Sequence, residues 1–332
     1  MGVRVVDGGW MNFFAQLIGQ EQAIELLTQA VSQNRVAPAY LFAGPDGVGK
    51  SLAARCFIQQ LFYSNVPNQD QQQLQKRLQL GNHPDLLWVQ PTYLHQGQRL
   101  SLEEAAAAGL KRKAPPIIRT EQIREIGQFL SRPSLEASRS IVVVQADTMA
   151  EAAANALLKT LEEPPGQATL ILIAPAAESL LPTLVSRCQR IPFYRLDSNA
   201  IAQVLQQTGN EEILSQPSVL AMAQGSPGEA IASMQQLRAI PSDLLQAISQ
   251  PLKSLRDALE LARQIDKHLD TEAQLWLVDY LQHCYWQQFL NGAIHKSPLE
   301  QLEKARRYLL SYAQPRLVWE VTLLAMCQAA NF

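Results

Sequence analysis

A short apolar run passes directly into a glycine loop that ends in Lys-Ser: AYLFA, then GPDGVGKS. Few features constrain a fold as tightly. Gly44, Pro45, Asp46, Gly47, Val48, Gly49, Lys50 and Ser51 match the pattern G-x-x-x-x-G-K-[ST] in full. Its glycines let backbone N–H groups turn inward on phosphate oxygens, and the following helix adds the partial positive charge of its N-terminus. In such a loop Lys50 reaches the β- and γ-phosphates of a nucleotide, and the Ser51 hydroxyl ligates Mg2+. A strand is expected over residues 39–43 and a helix from Lys50 to about Phe62. Strand, phosphate loop and helix make the first unit of a parallel sheet.

The remaining pattern extends that sheet. Apolar residues at three- and four-residue spacing predict a helix over residues 14–31. Residues 85–90 read as a strand, and 120–130 as a helix with Thr120 as its N-cap. SIVVVQ, residues 140–145, is a continuous β-branched run that suits a strand covered on both faces. Residues 151–162 form a helix stopped by Pro164-Pro165; 169–174 is a second buried strand and 179–186 a helix. The fold class is therefore α/β, a parallel sheet with helices on both faces. After about Arg195 the strand signals stop. Residues 196–238 read as three short helices starting near Ser198 and Ser226, and 241–332 as amphipathic helices, among them 272–290 and 298–312. The expected organisation is an irregular leader over residues 1–12, with Met11 an alternative start. An α/β nucleotide-binding domain over 13–195 follows, then a three-helix module over 196–240 and a helical bundle over 241–332. Residues 64–82 read as a Gln-rich helix and connector, and 92–116 as an exposed insertion.

Composition bounds the rest. The 332 residues leave room for two or three domains. With 47% apolar and 17% charged residues, sizeable cores form and wholesale disorder is excluded. A net charge of −2 rules out attachment to nucleic acid by overall field and leaves only local basic patches. Cys56, Cys188, Cys284 and Cys327 show no C-x-x-C spacing, so neither a disulfide framework nor a zinc site is implied. The N-terminal MGVRVVDGGWMNFF lacks the apolar stretch of a secretory signal, and the longest apolar run, residues 170–177, is far short of a membrane span. A soluble, cytoplasmic protein is expected.

Hydrolysis needs more than the loop. A second strand should end in an Asp that holds Mg2+ and a Glu that orients the attacking water. At the end of residues 140–145 stand Val144 and Gln145. Valine offers no metal ligand and glutamine cannot act as a base. Asp147 follows two to three residues further on; a shifted loop would bring it to the metal, but a turn or capping role suits it better.

Several segments together carry a resemblance: Ile18-Gly19-Gln20, the loop GPDGVGKS, His83-Pro84-Asp85, AANALLKTLEEPP over residues 153–165, and LVSRC over 184–188. The chain resembles the delta-prime subunits of the bacterial DNA polymerase III clamp loader, a branch of the AAA+ family. The likeness covers residues 14–195 and continues more weakly through the helical parts. It implies an AAA+ nucleotide-binding domain, a three-helix lid, and a collar that joins five subunits in a ring with delta and tau/gamma partners. The ring loads a sliding clamp onto primed DNA. The resemblance gives Arg187 a role as an arginine finger reaching a neighbour's ATP, a task suited to a permanently charged planar fork, where spacing alone reads it as a surface salt-bridge residue; Ser186 and Cys188 shape the turn. It places Ile18-Gly19-Gln20 near the adenine, where the residues themselves read only as a turn.

Three departures from the motor type in that family point one way. The Mg2+ and water-activating acids are absent. Gly228 stands where motor subunits carry an arginine that touches their own ATP. The strand over 169–174 ends in Pro175-Ala176-Ala177, without a polar residue to sense the γ-phosphate. The resemblance thus implies a subunit without ATPase activity of its own. Its loop holds ATP or ADP, with Mg2+, as structural filling, or holds nothing of importance. Many relatives bind zinc between the loop helix and the next strand; here only Cys56 lies there, so no zinc is expected and Cys56 reads as a core residue. The competing readings are an autonomous phosphate-loop ATPase and a motor subunit of the same loader.

Weaker signals have plain readings. Lys111-Arg112-Lys113 offers phosphate contacts or a solvated loop tip. Trp88, Tyr93 and Trp286 read as packing residues, and His83 as a turn residue.

Overall fold

The computed structural model describes residues 13–63, 71–79, 81–108, 115–249, 254–292 and 298–330. The leader over 1–12, part of the Gln-rich connector and Lys111-Arg112-Lys113 lie outside them. Two compact units emerge, Met1–Ala200 and Ile201–Phe332.

The first unit contains helices α1 (Glu21–Ser32), α2 (Lys50–Tyr63), α3 (Gln71–Gln79), α4 (Leu102–Ala107), α5 (Thr120–Leu130), α6 (Glu151–Glu162) and α7 (Pro182–Val185). Its strands are β1 (Ala39–Ala43), β2 (Leu86–Val89), β3 (Tyr93–His95), β4 (Gln98–Leu100), β5 (Ser140–Gln145), β6 (Ala168–Ala174) and β7 (Gln189–Pro192). Five of these form one sheet in the order β2-β5-β6-β1-β7, every pair parallel. Alternation along the strands gives the sheet two apolar faces. Leu41, Val142, Val144, Leu170 and Leu172 pack with Ile123, Ile126 and Leu130 of α5 and with Leu157 and Leu161 of α6. On the opposite face Tyr40 meets Phe57 of α2 edge to face at 5.2 Å. Helices thus cover both faces, as the α/β reading requires.

Four local expectations need correction. The helix expected over 14–31 begins only at Glu21: residues 14–17 close a turn, with the Leu17 N–H donating to Phe14 O at 2.9 Å, and Gly19 adopts φ +72°. Thr120 is the first helical residue of α5 rather than its cap. The cap position is Arg119, whose amide donates to Gln122 Oε1 at 3.1 Å. The helix expected over 179–186 divides into a 3-10 turn, Ala177–Ser179, and the single turn of α7, because Pro182 has no N–H to continue an earlier helix. Trp286 is 44% exposed and stacks on Phe289 at 5.9 Å instead of entering a core. The insertion is pinned at its base by paired Thr92 and Ile117 amides and carries the β3–β4 hairpin and α4.

The second unit is helical: α8 (Ser198–Gln207, entering from the first unit), α9 (Pro217–Ala223), α10 (Pro227–Ala239), α11 (Ser242–Ser249), α12 (Leu255–His268), α13 (Thr271–Leu290), α14 (Leu299–Leu310) and α15 (Pro315–Ala330). Ser226 caps α10 by accepting from the Glu229 amide at 3.2 Å. The core of α11–α15 closes around fully buried Trp319. Its Nε1–H donates to Gln274 Oε1 at 2.9 Å, so the one polar atom of the indole is satisfied. Among the described residues no helix is long and apolar enough to cross a membrane.

Candidate functional site

The phosphate loop is held in place by close backbone approach. The Gly44 amide donates to Ala174 O at 3.3 Å, and a Cβ on Gly44 would stand 2.3 Å from Phe193 O, so no other residue fits there. Gly47 and Gly49 take φ +71° and +105°, the left-handed side of the map that turns amides inward. Gln20 is the clamp behind the loop. Buried and 2% exposed, it donates from Nε2 to Tyr194 O at 2.7 Å and to Val48 O at 3.2 Å, and accepts from the Tyr194 amide at 3.1 Å. The Ile18-Gly19-Gln20 segment therefore ties the loop to the residue just past β7. In the sequence this segment stood out only as a carrier of the family resemblance.

A cavity of about 340 Å³ opens on the loop. Asp46, Gly47, Gly49, Lys50 and Ser51 line one side; Gln145, Ala174 and Pro175, from the ends of β5 and β6, line the other. Val144 does not reach it, being fully buried in the core between the sheet, α5 and α6. Asp147 falls in the 3-10 turn Ala146–Thr148 directly after β5. The wall that would need a metal-binding acid, a base and a γ-phosphate sensor thus presents an amide, a methyl and a proline ring. Lys50 is 5% exposed, and its ammonium donates to Gly44 O, to Pro45 O at 2.8 Å and to Asp46 Oδ1 at 2.9 Å.

Arg187 lies apart from this cavity, on the residue after α7's C-cap. Its Nη2 donates to Glu162 Oε1 at 2.6 Å, and its Nη1 to Thr183 O at 2.9 Å. Glu162 is the last residue of α6, so the two most specific sequence segments, 153–165 and 184–188, meet through this ion pair. Both partners are exposed, at 35% and 49% of their side-chain surface. Such a pair adds only ~0–1 kcal/mol to stability. Ser186 Oγ donates to Thr183 O at 3.1 Å and Cys188 packs against the core, consistent with their part in the turn. Burial pushes the Cys188 and Cys56 thiols each up to about 11, which leaves them protonated and unreactive near neutral pH.

His83-Pro84-Asp85 is structural. The Asp85 carboxylate is buried and accepts the amides of Leu135, Glu136 and Ala137 at 2.7, 2.8 and 2.7 Å, fixing the chain before β5. His83 stacks on Phe62 at 4.5 Å and accepts the Asp85 amide on Nδ1. Trp88 lies half-buried beneath the Arg55 guanidinium at 5.2 Å. Among the described residues no group of three His, Cys, Asp or Glu side chains is arranged to hold a metal.

The family model "DNA polymerase III, delta subunit" matches residues 19–197, and "Cyanobacterial DNA polymerase III delta prime, C-terminal domain" matches 199–326. The chain belongs to the delta-prime family of DNA polymerase III subunits. The delta-prime subunit of Bacillus subtilis is 33% identical over 185 residues, 55% of this chain and 50% of that protein. The tau subunit of the same organism is 27% identical over 241 residues, 70% of this chain and 39% of that protein. The matches therefore span half or less of these relatives' own length. A gamma subunit-related protein of DNA polymerase III from Thermotoga maritima gives a TM-score of 0.49 at 17% identity, covering 92% of this chain and 99% of that one. The two family-model matches meet at residues 197–199, beside the boundary between the compact units at Ala200.

Proposed function

We propose that this chain is a non-hydrolysing subunit of a DNA polymerase III clamp loader, acting in the cytoplasm in ATP-dependent loading of a sliding clamp onto primed DNA. It works in a heteropentamer with delta and tau/gamma subunits. Residues 13–195 form the nucleotide-binding domain, 196–240 the lid, and 241–332 the collar that joins the ring. Residues 44–51 hold ATP or ADP through inward amides, with Lys50 on the phosphates and the Ser51 hydroxyl toward Mg2+.

The observation that carries this reading is the wall opposite the loop. Among the described residues of that wall, Gln145, Ala174 and Pro175 supply neither a base nor a metal-binding carboxylate where the ends of β5 and β6 face the loop. Arg187 supplies what this subunit contributes instead. Its guanidinium sits at the surface on an exposed ion pair that costs little to release, and a neighbour's γ-phosphate offers a stronger partner.

The isolated chain is expected to show no steady ATP turnover above background, with Lys50→Ala indistinguishable from wild type. Turnover that disappears with Lys50→Ala would mean a working active site and an autonomous ATPase. The tau similarity keeps a motor role as the second reading. Replacing tau/gamma by this chain in a reconstituted loader should leave ATPase activity absent; restored activity would favour the motor.

A further inference from the structure

We propose that Asp46 opposes nucleotide binding, so that the loop's own carboxylate sets how loosely a nucleoside di- or triphosphate is held. The inference rests on the nucleotide reading above and deepens it. A lysine ammonium has three donors. On Lys50 three loop oxygens meet them: Gly44 O, Pro45 O and Asp46 Oδ1. Lys50 therefore stands fully matched within its own loop, and an arriving phosphate must take it from that set. The two carbonyls are dipoles that a phosphate outbids. Asp46 carries a full negative charge and is the real competitor.

The charges lining the cavity strengthen the point. Among its described lining residues Lys50 is the single cation and Asp46 the single acid; Gly47, Gly49, Ser51, Leu52, Gln145, Ile173, Ala174 and Pro175 are uncharged. Where a phosphate loop ordinarily presents net positive charge, the described lining sums to zero. Asp46 is also 63% exposed at the mouth of the cavity, so its carboxylate repels an anion on approach as well as competing for the lysine. The backbone cannot relieve this by retreating, because Gly44 is pressed against Phe193 O and Val48 is tied to Gln20. Only the Asp46 side chain is left to swing away.

The test is equilibrium dialysis of Mg-ADP and Mg-ATP against the full chain, in wild type, Asp46→Asn, Asp46→Ser and Lys50→Ala. Asparagine keeps the shape and removes the charge, and serine removes the reach; at an exposed position both should fold. The expected result is binding about five- to tenfold tighter for both Asp46 variants at low salt, the order of one charge contact in partly exposed surroundings. The gap should narrow at about 1 M salt, where screening shortens to ~3 Å. Lys50→Ala should lose binding. Equal or weaker binding by the Asp46 variants, with wild type binding measurably, overturns the role of Asp46 and leaves the nucleotide reading standing. Retention by none of the variants at millimolar nucleotide overturns both.

Discussion

At the scale of single residues, polar side chains in this chain divide between fastening the fold and facing a ligand, and burial sorts them. His83 is the clearest fastener. Removal from water lowers its pKa below 6.5, against the smaller opposing pull of Asp85 and Glu136; nearby Arg77 pushes the same way as burial. The unfolded chain thus binds the proton more readily than the native one. The His83 contribution to stability is complete above about pH 6.5 and declines as pH falls below it toward the folded-state value. Urea midpoints measured from pH 7.5 to 5 should therefore drop less in His83→Gln than in wild type; equal slopes would show that His83 titrates alike in both states. The sequence made the phosphate loop legible, because it is a matter of residue type at fixed spacing, whereas Arg187 stood out only through the family resemblance. It did not reveal that Glu162 holds Arg187 or that Asp46 holds Lys50. Those depend on rotamers and on a fold that brings α6 beside α7.

At the scale of elements, buried strands were the easiest to read. β1 and β5 have the predicted bounds, since their short length, β-branched or aromatic content and flanking turn residues set such runs apart from a buried helix. β7 escaped notice. Gln189 and Arg190 are exposed at the sheet edge, so its sequence shows neither a continuous apolar run nor a full alternation. Yet β7 positions the loop, since Phe193 and Tyr194 just beyond it contact Gly44 and Gln20. Glycines test this placement. Gly44→Ala would drive a Cβ into Phe193 O, backbone that cannot step aside, and should destabilise the first unit by more than about 3 kcal/mol or prevent its folding. Gly97→Ala, at φ +81° in the β3–β4 turn with nothing within 4 Å, should cost only ~1 kcal/mol. Denaturant titration of the pair distinguishes steric exclusion from simple backbone strain. Equal losses would contradict the close approach of β1 to the end of β7.

At the scale of the whole molecule, the chain joins an α/β unit to a helical one, and the proposed division of labour follows that seam. Strand signals in the sequence stop after about Arg195, and the first compact unit runs to Ala200. The helical unit was legible as helices but not in its faces: Trp286, Tyr308 and Leu317 are exposed, whereas Trp319 is the centre of a core, and nothing in one sequence separates them. The central claim is that this subunit keeps a loop without chemistry and lends an arginine to a neighbour. The most direct measurement is ATP turnover by a reconstituted loader containing wild type, Arg187→Ala or Lys50→Ala. Arg187→Ala should lower turnover by a factor of about 10³ while leaving the fold intact, and Lys50→Ala should change it little. Loss with Lys50→Ala and none with Arg187→Ala would contradict the account, and would place the working site in this chain's own loop.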